Sequence, residues 1–219
     1  MAWRCYGAVA LPAGAALTSF ALGASSTSSG CFWSKPKSDV HSGPVTVKSV
    51  LLSARSICAQ AHIPIVATRA DDGVDCRVMD AHGPFGDEMK FSLVSRDFTR
   101  KAKQLAADQR CTLAFHDPRS RGETGYLSLK GEVAVVDDPA EARRYWKDSW
   151  TIYHAGPECA SDVVVYLFTP ARVEVVDNDR WLRGDWAPVA IRRDGAEGAW
   201  AVAPAETRAD RRKRVAAAG

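Results

Sequence analysis

The residues best placed to do chemistry lie in FSLVSRDFTRKAKQL, positions 91–105. There the hydroxyls of Ser95 and Thr99 share a short stretch with the cations Arg96, Arg100, Lys101 and Lys103. Alternation over 89–95 predicts a strand, and Phe98, Ala102 and Leu105 space as one face of a short helix over 96–108, so the strand-to-helix junction is expected at Ser95. A helix start presents unpaired N–H groups and the positive end of the helix dipole, so cations gathered there are mildly unfavourable in an empty protein. A bound phosphate would reverse that sign. The chemistry indicated is anion binding, and the competing reading of the same residues is a solvated basic helix face.

No second constellation of comparable promise occurs. The six cysteines, Cys5, Cys31, Cys58, Cys76, Cys111 and Cys159, contain no C-x-x-C pair, and the five histidines are scattered, so no metal site is expected. Cys58, Cys76 and Cys111 fall in apolar segments and read as small hydrophobes. Paired carboxylates, a nucleophile–base couple and a phosphate-binding G-x-G-x-x-G turn are all missing in a convincing local context. The chain has 219 residues, 46% of them hydrophobic and 25% charged, with a net charge of +3. That is enough for one well-buried domain, and too little concentrated positive charge to expect a nucleic acid partner.

The elements that must position the basic stretch follow from periodicity. Val47, Val50, Leu51, Ala54, Ile57 and Cys58 predict a helix within 44–62. Two strands over 63–69 and 75–79 flank Asp71-Asp72-Gly73, a hairpin turn composition. Strands are expected over 111–116 and 125–136, the latter with a bulge at Gly131. Asp138-Pro139 opens a helix through Trp146. Further strands over 163–168 and 173–176, and a final hairpin around Asp194-Gly195, give six or more short antiparallel strands with few helices. This mainly β pattern with flanking helices predicts a small closed barrel.

Residues 1–43 are read as a presequence or disordered leader, 44–203 as the folded domain and 204–219 as a charged, solvated tail. The first 38 residues contain no acid, and the apolar run 6–22 is interrupted by Pro12 and Gly14. A cleaved leader directing the chain to a plastid, a mitochondrion or the secretory route is expected in preference to a permanent anchor, so no stable membrane span is expected in the mature protein. A disordered start of a cytoplasmic protein is the alternative.

From about Val47 to Trp181 the chain resembles the pyridoxamine 5′-phosphate oxidase-like superfamily of FMN-binding split β-barrels, and within it the general stress protein group. The matching segments occur in order: Cys76-Arg77-Val78-Met79, Leu93-Val94-Ser95, Thr99-Arg100-Lys101, Tyr126-Leu127-Ser128-Leu129-Lys130-Gly131-Glu132-Val133, then Trp150 and His154-Ala155-Gly156-Pro157. The resemblance implies that Arg77, Arg100 and Lys101 pair with the FMN phosphate, helped by the hydroxyls of Ser95 and Thr99. Arginine would supply a two-pronged fork and lysine a point charge.

Val78 and Val94 would lie near the flavin ring, Tyr126 and Ser128 would border it from one strand face, and Trp181 and Arg183 would be ring or substrate neighbours. The C-terminal segment matches the substrate-gripping signature of the vitamin-forming oxidases only loosely, which disfavours that reaction. The implied function is an FMN-dependent oxidoreductase of an unidentified small substrate, assembled as a homodimer. Two alternatives keep the fold: a non-catalytic stress-related module holding flavin or haem, and a barrel that has lost its ligand and acts through partner contacts.

Overall fold

In the computed structural model, residues 44–118, 125–154, 156–157, 162–176, 187–195 and 198–204 are described. The leader, Trp181, Arg183 and the tail beyond Pro204 lie outside them. The helical spacing near the start of this region becomes α1, Val47–Ala61. A capping box fixes its first turn: Ser49 N donates to Thr46 Oγ1 (3.1 Å) and Thr46 N donates to Ser49 Oγ (2.9 Å). Val50, Ala54, Ile57 and Cys58 turn inward. Burial pushes the Cys58 and Cys111 thiols up to about 12, consistent with inert core residues. Cys76 departs from the expectation of a core hydrophobe and is exposed.

The strands are β1 (Ile65–Ala70), β2 (Gly73–Val78), β3 (Ala81–Phe85), β4 (Lys90–Arg96), β5 (Arg110–His116), β6 (Tyr126–Val135), β7 (Val163–Val176), β8 (Val189–Arg192) and β9 (Ala201–Val202). They form one antiparallel sheet in the order β2-β1-β5-β6-β7-β4-β3, with β8 beside β7 and β9 beside β8. The inner faces of β1 and β4 to β8 meet α1 and α2 (Arg100–Ala107) in one core cluster. The sheet therefore curls around that core as a split barrel. This is the split β-barrel that the resemblance implied: β2 and β3 end the path without pairing with one another among the described residues.

The split originates in β7. Its first half pairs with β4, from Arg96↔Val163 to Phe91↔Phe168, and its second half pairs with β8. Strand β6 accompanies both halves and shifts register between Lys130 and Gly131. Gly131 is required there because a Cβ would overlap the backbone of Thr169 and Pro170. The same irregularity accommodates Pro170, which cannot donate to a ladder. The two strands expected over 163–168 and 173–176 are for this reason one continuous strand. Strand β3, unforeseen because Gly83-Pro84 interrupts its pattern, extends β4 on the far edge, also with a register shift.

Two further boundaries differ from expectation. Strand β4 runs through Arg96, and α2 begins at Arg100 behind its cap Thr99, so the junction lies at residue 99 instead of Ser95. The helix opened by Asp138-Pro139 is α3, Pro139–Arg144; a 3-10 turn at Asp148–Trp150 and the short α4, Thr151–His154, replace its expected end. Trp146 and Trp150 bury themselves with Ala142 and Val165 in a second cluster, on which Val94 packs.

The core is organised in cross-strand rows. Val66, Leu113, Leu129, Val173 and Ile191 are successive partners across β1, β5, β6, β7 and β8, and all five are fully buried. Gly131→Ala should lower stability by about 1–3 kcal/mol, the usual cost of forcing atoms into a packed site. Urea unfolding measures this, and an unchanged midpoint would show that the β6 and β7 backbones can part freely.

Candidate functional site

Strand periodicity places Arg77 on the inner face of β2, opposite Val66 and therefore at the rim end of the buried row. Asp75, two residues earlier, shares that face and lies opposite Thr68. The rim is closed by one face of α2, whose Ala102 and Leu105 are buried beneath it. Arg77 Nη1 donates to Thr68 Oγ1 (2.6 Å) and Nη2 to Gln104 Oε1 (2.8 Å). Gln104 Nε2 donates to Asp75 Oδ2 (2.5 Å), and Arg100 Nε lies 3.0 Å from the same carboxylate oxygen. A planar guanidinium with five donors is thus held by partners that use only part of its capacity.

Strand β4 contributes Ser95, buried beside the helix start. Ser95 Oγ and Thr99 Oγ1 are 2.8 Å apart, and Thr99 Oγ1 donates to Arg96 O (2.8 Å) while receiving Ala102 N (3.4 Å). The hydroxyl pair anchors the first turn of α2, where Arg100 and Lys101 follow directly.

Lys101 is the exceptional residue of this cluster. It is half-buried, and its ammonium has no hydrogen bond or ion pair among the described residues. Burial first, and the Arg77 charge second, hold its ammonium below the ordinary lysine pKa. Asp75 compensates Arg100 at 3.0 Å and Arg77 at 3.6 Å, so two of the three cations share one carboxylate and Lys101 pairs with none among the described residues. Like charges drawn together at a helix start, with one left uncompensated, form a cradle whose electrostatics a bound anion completes. The chemistry of the donor set fits a phosphate: a fork, a point charge, two hydroxyls and first-turn N–H groups.

A cleft of about 1060 Å³ opens beside the cluster, lined by Arg69, Asp75, Arg100, Lys103, Gln104 and Arg110 among others. It meets the cradle at Asp75, Arg100 and Gln104 but does not reach Lys101. The anion assignment therefore rests on charge and hydrogen-bond geometry.

The other expected site residues are placed elsewhere. Val78 alternates with Arg77 and faces outward, 69% exposed. In ladder register it leads through Ile65 and Ala114 to Ser128, so Ser128 lies on that outer face too, as does Tyr126 two residues before it. Tyr126 OH donates to Glu174 Oε1 (2.9 Å), and burial, reinforced by Glu174, pushes the phenol up to about 12. Val94 packs on the Trp146–Trp150 cluster. Within one chain, then, Arg77, Ser95, Thr99, Arg100 and Lys101 come together, whereas Val78, Tyr126 and Ser128 occupy the opposite side of the sheet.

Thr68, Asp75 and Gln104 were missed, although two were legible. Asp75 lies at strand spacing from Arg77, and Gln104 at helical spacing from Arg100 and Lys101. Among the described residues no group of three or more His, Cys, Asp or Glu side chains could hold a metal ion, and no helix is long and apolar enough to cross a membrane.

These features define a split β-barrel with a cationic cradle at the start of its second helix. The pyridoxamine 5′-phosphate oxidase family matches residues 53–177, and the chain belongs to that family. Among solved structures it is similar to a protein related to general stress protein 26 of B. subtilis, from Clostridium acetobutylicum. That similarity has 19% identity and a TM-score of 0.54, covering 68% of this chain and 96% of the other. It is also similar to a pyridoxamine 5′-phosphate oxidase-related, FMN-binding protein from Nostoc punctiforme PCC 73102, at 14% identity and TM-score 0.50 over 72% of this chain and 95% of that one. A haem-binding protein from Mycobacterium smegmatis shares 18% identity at TM-score 0.49, over 64% of this chain and 61% of that one. No curated protein matches. At these identities the first two likenesses show the fold alone.

The depressed Lys101 pKa carries a stability consequence. The unfolded chain holds that proton more readily than the folded one, so at neutral pH, with Lys101 charged in both states, its charge weakens the ligand-free fold. Lys101→Met keeps the aliphatic stem and removes the charge. The ligand-free variant should melt at a higher temperature than the parent, and a lower melting temperature would show that the charge is not strained.

Proposed function

We propose that this protein binds FMN through its phosphate, at the cradle formed by Arg77, Ser95, Thr99, Arg100 and Lys101. The observation that carries the proposal is the uncompensated Lys101 beside Arg77 at the first turn of α2, in a chain of the pyridoxamine 5′-phosphate oxidase family. Lys101 supplies a mobile point charge. Arg77, fixed by Thr68 and Gln104, offers its remaining N–H groups in a set orientation, while Asp75 restrains Arg100 until an anion competes for it.

When bound, FMN supplies hydride or electron transfer, and we infer that the protein is an oxidoreductase acting on a small substrate. The chain's part is to bind the phosphate, orient the ring and exclude water. A homodimer belongs to the same proposal: Ile65, Val74 and Val78 expose 47%, 69% and 69% of their surface on adjacent strands at the sheet edge, a patch that a second copy would cover. Sedimentation velocity should show a dimer for the parent and a monomer for Val78→Asp. A parent that remains a monomer at micromolar concentration contradicts the dimer.

Purified protein should be yellow or take up added FMN. Lys101→Ala should weaken FMN binding by about 1.5–3 kcal/mol, roughly tenfold or more in dissociation constant, by loss of a charge-assisted contact. Riboflavin, which lacks the phosphate, should bind both proteins equally. An FMN dissociation constant unchanged by the substitution would place the phosphate elsewhere.

A further inference from the structure

The cleft beside the cradle runs on along α2. Arg100, Lys103, Gln104 and Ala107 recur at three- and four-residue spacing, so one helical face lines this space over nearly the whole length of α2. The rest of the lining comes from the β1–β2 hairpin and from Asp108 and Arg110 at the start of β5. Cleft and cradle share a bonded junction: Arg77 Nη2 donates to Gln104 Oε1 (2.8 Å), Gln104 Nε2 donates to Asp75, and Arg100 Nε lies 3.0 Å from that carboxylate. At the other end of the helical face Asp108 repeats what Asp75 does. Arg110 donates to it through Nε (2.9 Å) and Nη2 (2.7 Å), and Arg69 Nη1 lies 3.9 Å away.

At about 1060 Å³ the cleft is as large as small-molecule sites become, roughly 300–1,000 Å³. Its walls do not suit a flavin ring: among the described residues its apolar side chains are the methyls of Ala70 and Ala107, and no aromatic side chain lines it. Lys103 on the helical face, and Asp71 and Asp72 in the hairpin turn, have no ion pair among the described residues. This set complements a nucleotide. Lys103 suits a phosphate, the guanidinium planes of Arg69 and Arg110 suit the face of a base, and free carboxylates suit ribose hydroxyls. We propose that the cleft receives the adenylyl half of a flavin dinucleotide whose flavin-side phosphate sits in the cradle; this rests on the FMN-phosphate reading above. Arg100 borders both spaces, so a second phosphate joined to the first enters the cleft beside it.

The test compares dissociation constants of FMN and FAD for the full chain, followed by flavin fluorescence. The parent should bind FAD at least as tightly as FMN. Lys103→Ala should weaken FAD about fivefold, the worth of one partly exposed charge contact, and leave FMN unchanged. Ala107→Trp, which fills the cleft from an exposed position on α2, should weaken FAD about tenfold or more and also spare FMN. Retained FMN binding shows in each case that the variant is folded.

A parent that binds FMN but holds FAD more weakly overturns the dinucleotide assignment and leaves the phosphate site standing. So does an FAD affinity that neither substitution changes, since the adenylyl group then lies outside the cleft. Equal loss of both flavins overturns it too, because the cleft then serves only what FMN and FAD have in common. A parent that binds neither flavin overturns both readings.

Discussion

Everything at the candidate site depends on the register of one buried row. Val66, Leu113, Leu129, Val173 and Ile191 face one another across five strands and exclude water completely. Side chains alternate with a period of two, so burying that row also decides the facing of β2, whose Arg77 is the next partner in line. A slip of one residue would expose the core residues of β1 and turn Arg77 and Asp75 outward. The penalty for exposing several such side chains, about 1.5–3 kcal/mol each, far exceeds anything the polar rim contributes. The apolar core thus aims the charges, and the rim network of Thr68, Gln104 and Asp75 only refines their aim.

The cradle itself works against stability. Two arginines at the rim share one carboxylate, and the lysine beside them is both partly desolvated and next to an arginine. In a protein whose only task was to fold, Lys101 would be better replaced by a neutral side chain. Its retention is intelligible if an anion completes the cluster, with the hydroxyls of Ser95 and Thr99 and the first-turn N–H groups providing directional contacts. Asp75 has a double part: it keeps Arg100 and Arg77 from repelling one another in the ligand-free state, and it must yield some of their charge when a stronger anion arrives.

Much of this was legible in the sequence, for identifiable reasons. Alternation and helical spacing marked α1, β4, β5, β6 and α2, since each buries one face and leaves the other wet. The bulge at Gly131 was legible because glycine inside a strand marks a close backbone approach, but its partner was not: 163–168 and 173–176 read as separate strands, and only the pairing with β6 shows that one strand runs through Pro170 with the irregularity absorbing it. The start of α2 was misplaced because Ser95 and Thr99 are both good caps, and burial of Ser95 decides between them. The facing of Tyr126 and Ser128 relative to Arg77 could not be read locally, because it depends on ladders spanning four strands.

The central claim is that a phosphate belongs between Lys101, Arg77 and the first turn of α2. The most direct measurement is a crystal structure of the protein grown with FMN. It should show phosphate oxygens within hydrogen-bonding distance, about 2.7–3.2 Å, of Lys101 Nζ and of first-turn N–H groups of α2. FMN bound with its phosphate in solvent or on another face, and Lys101 still without an anion, would contradict the account.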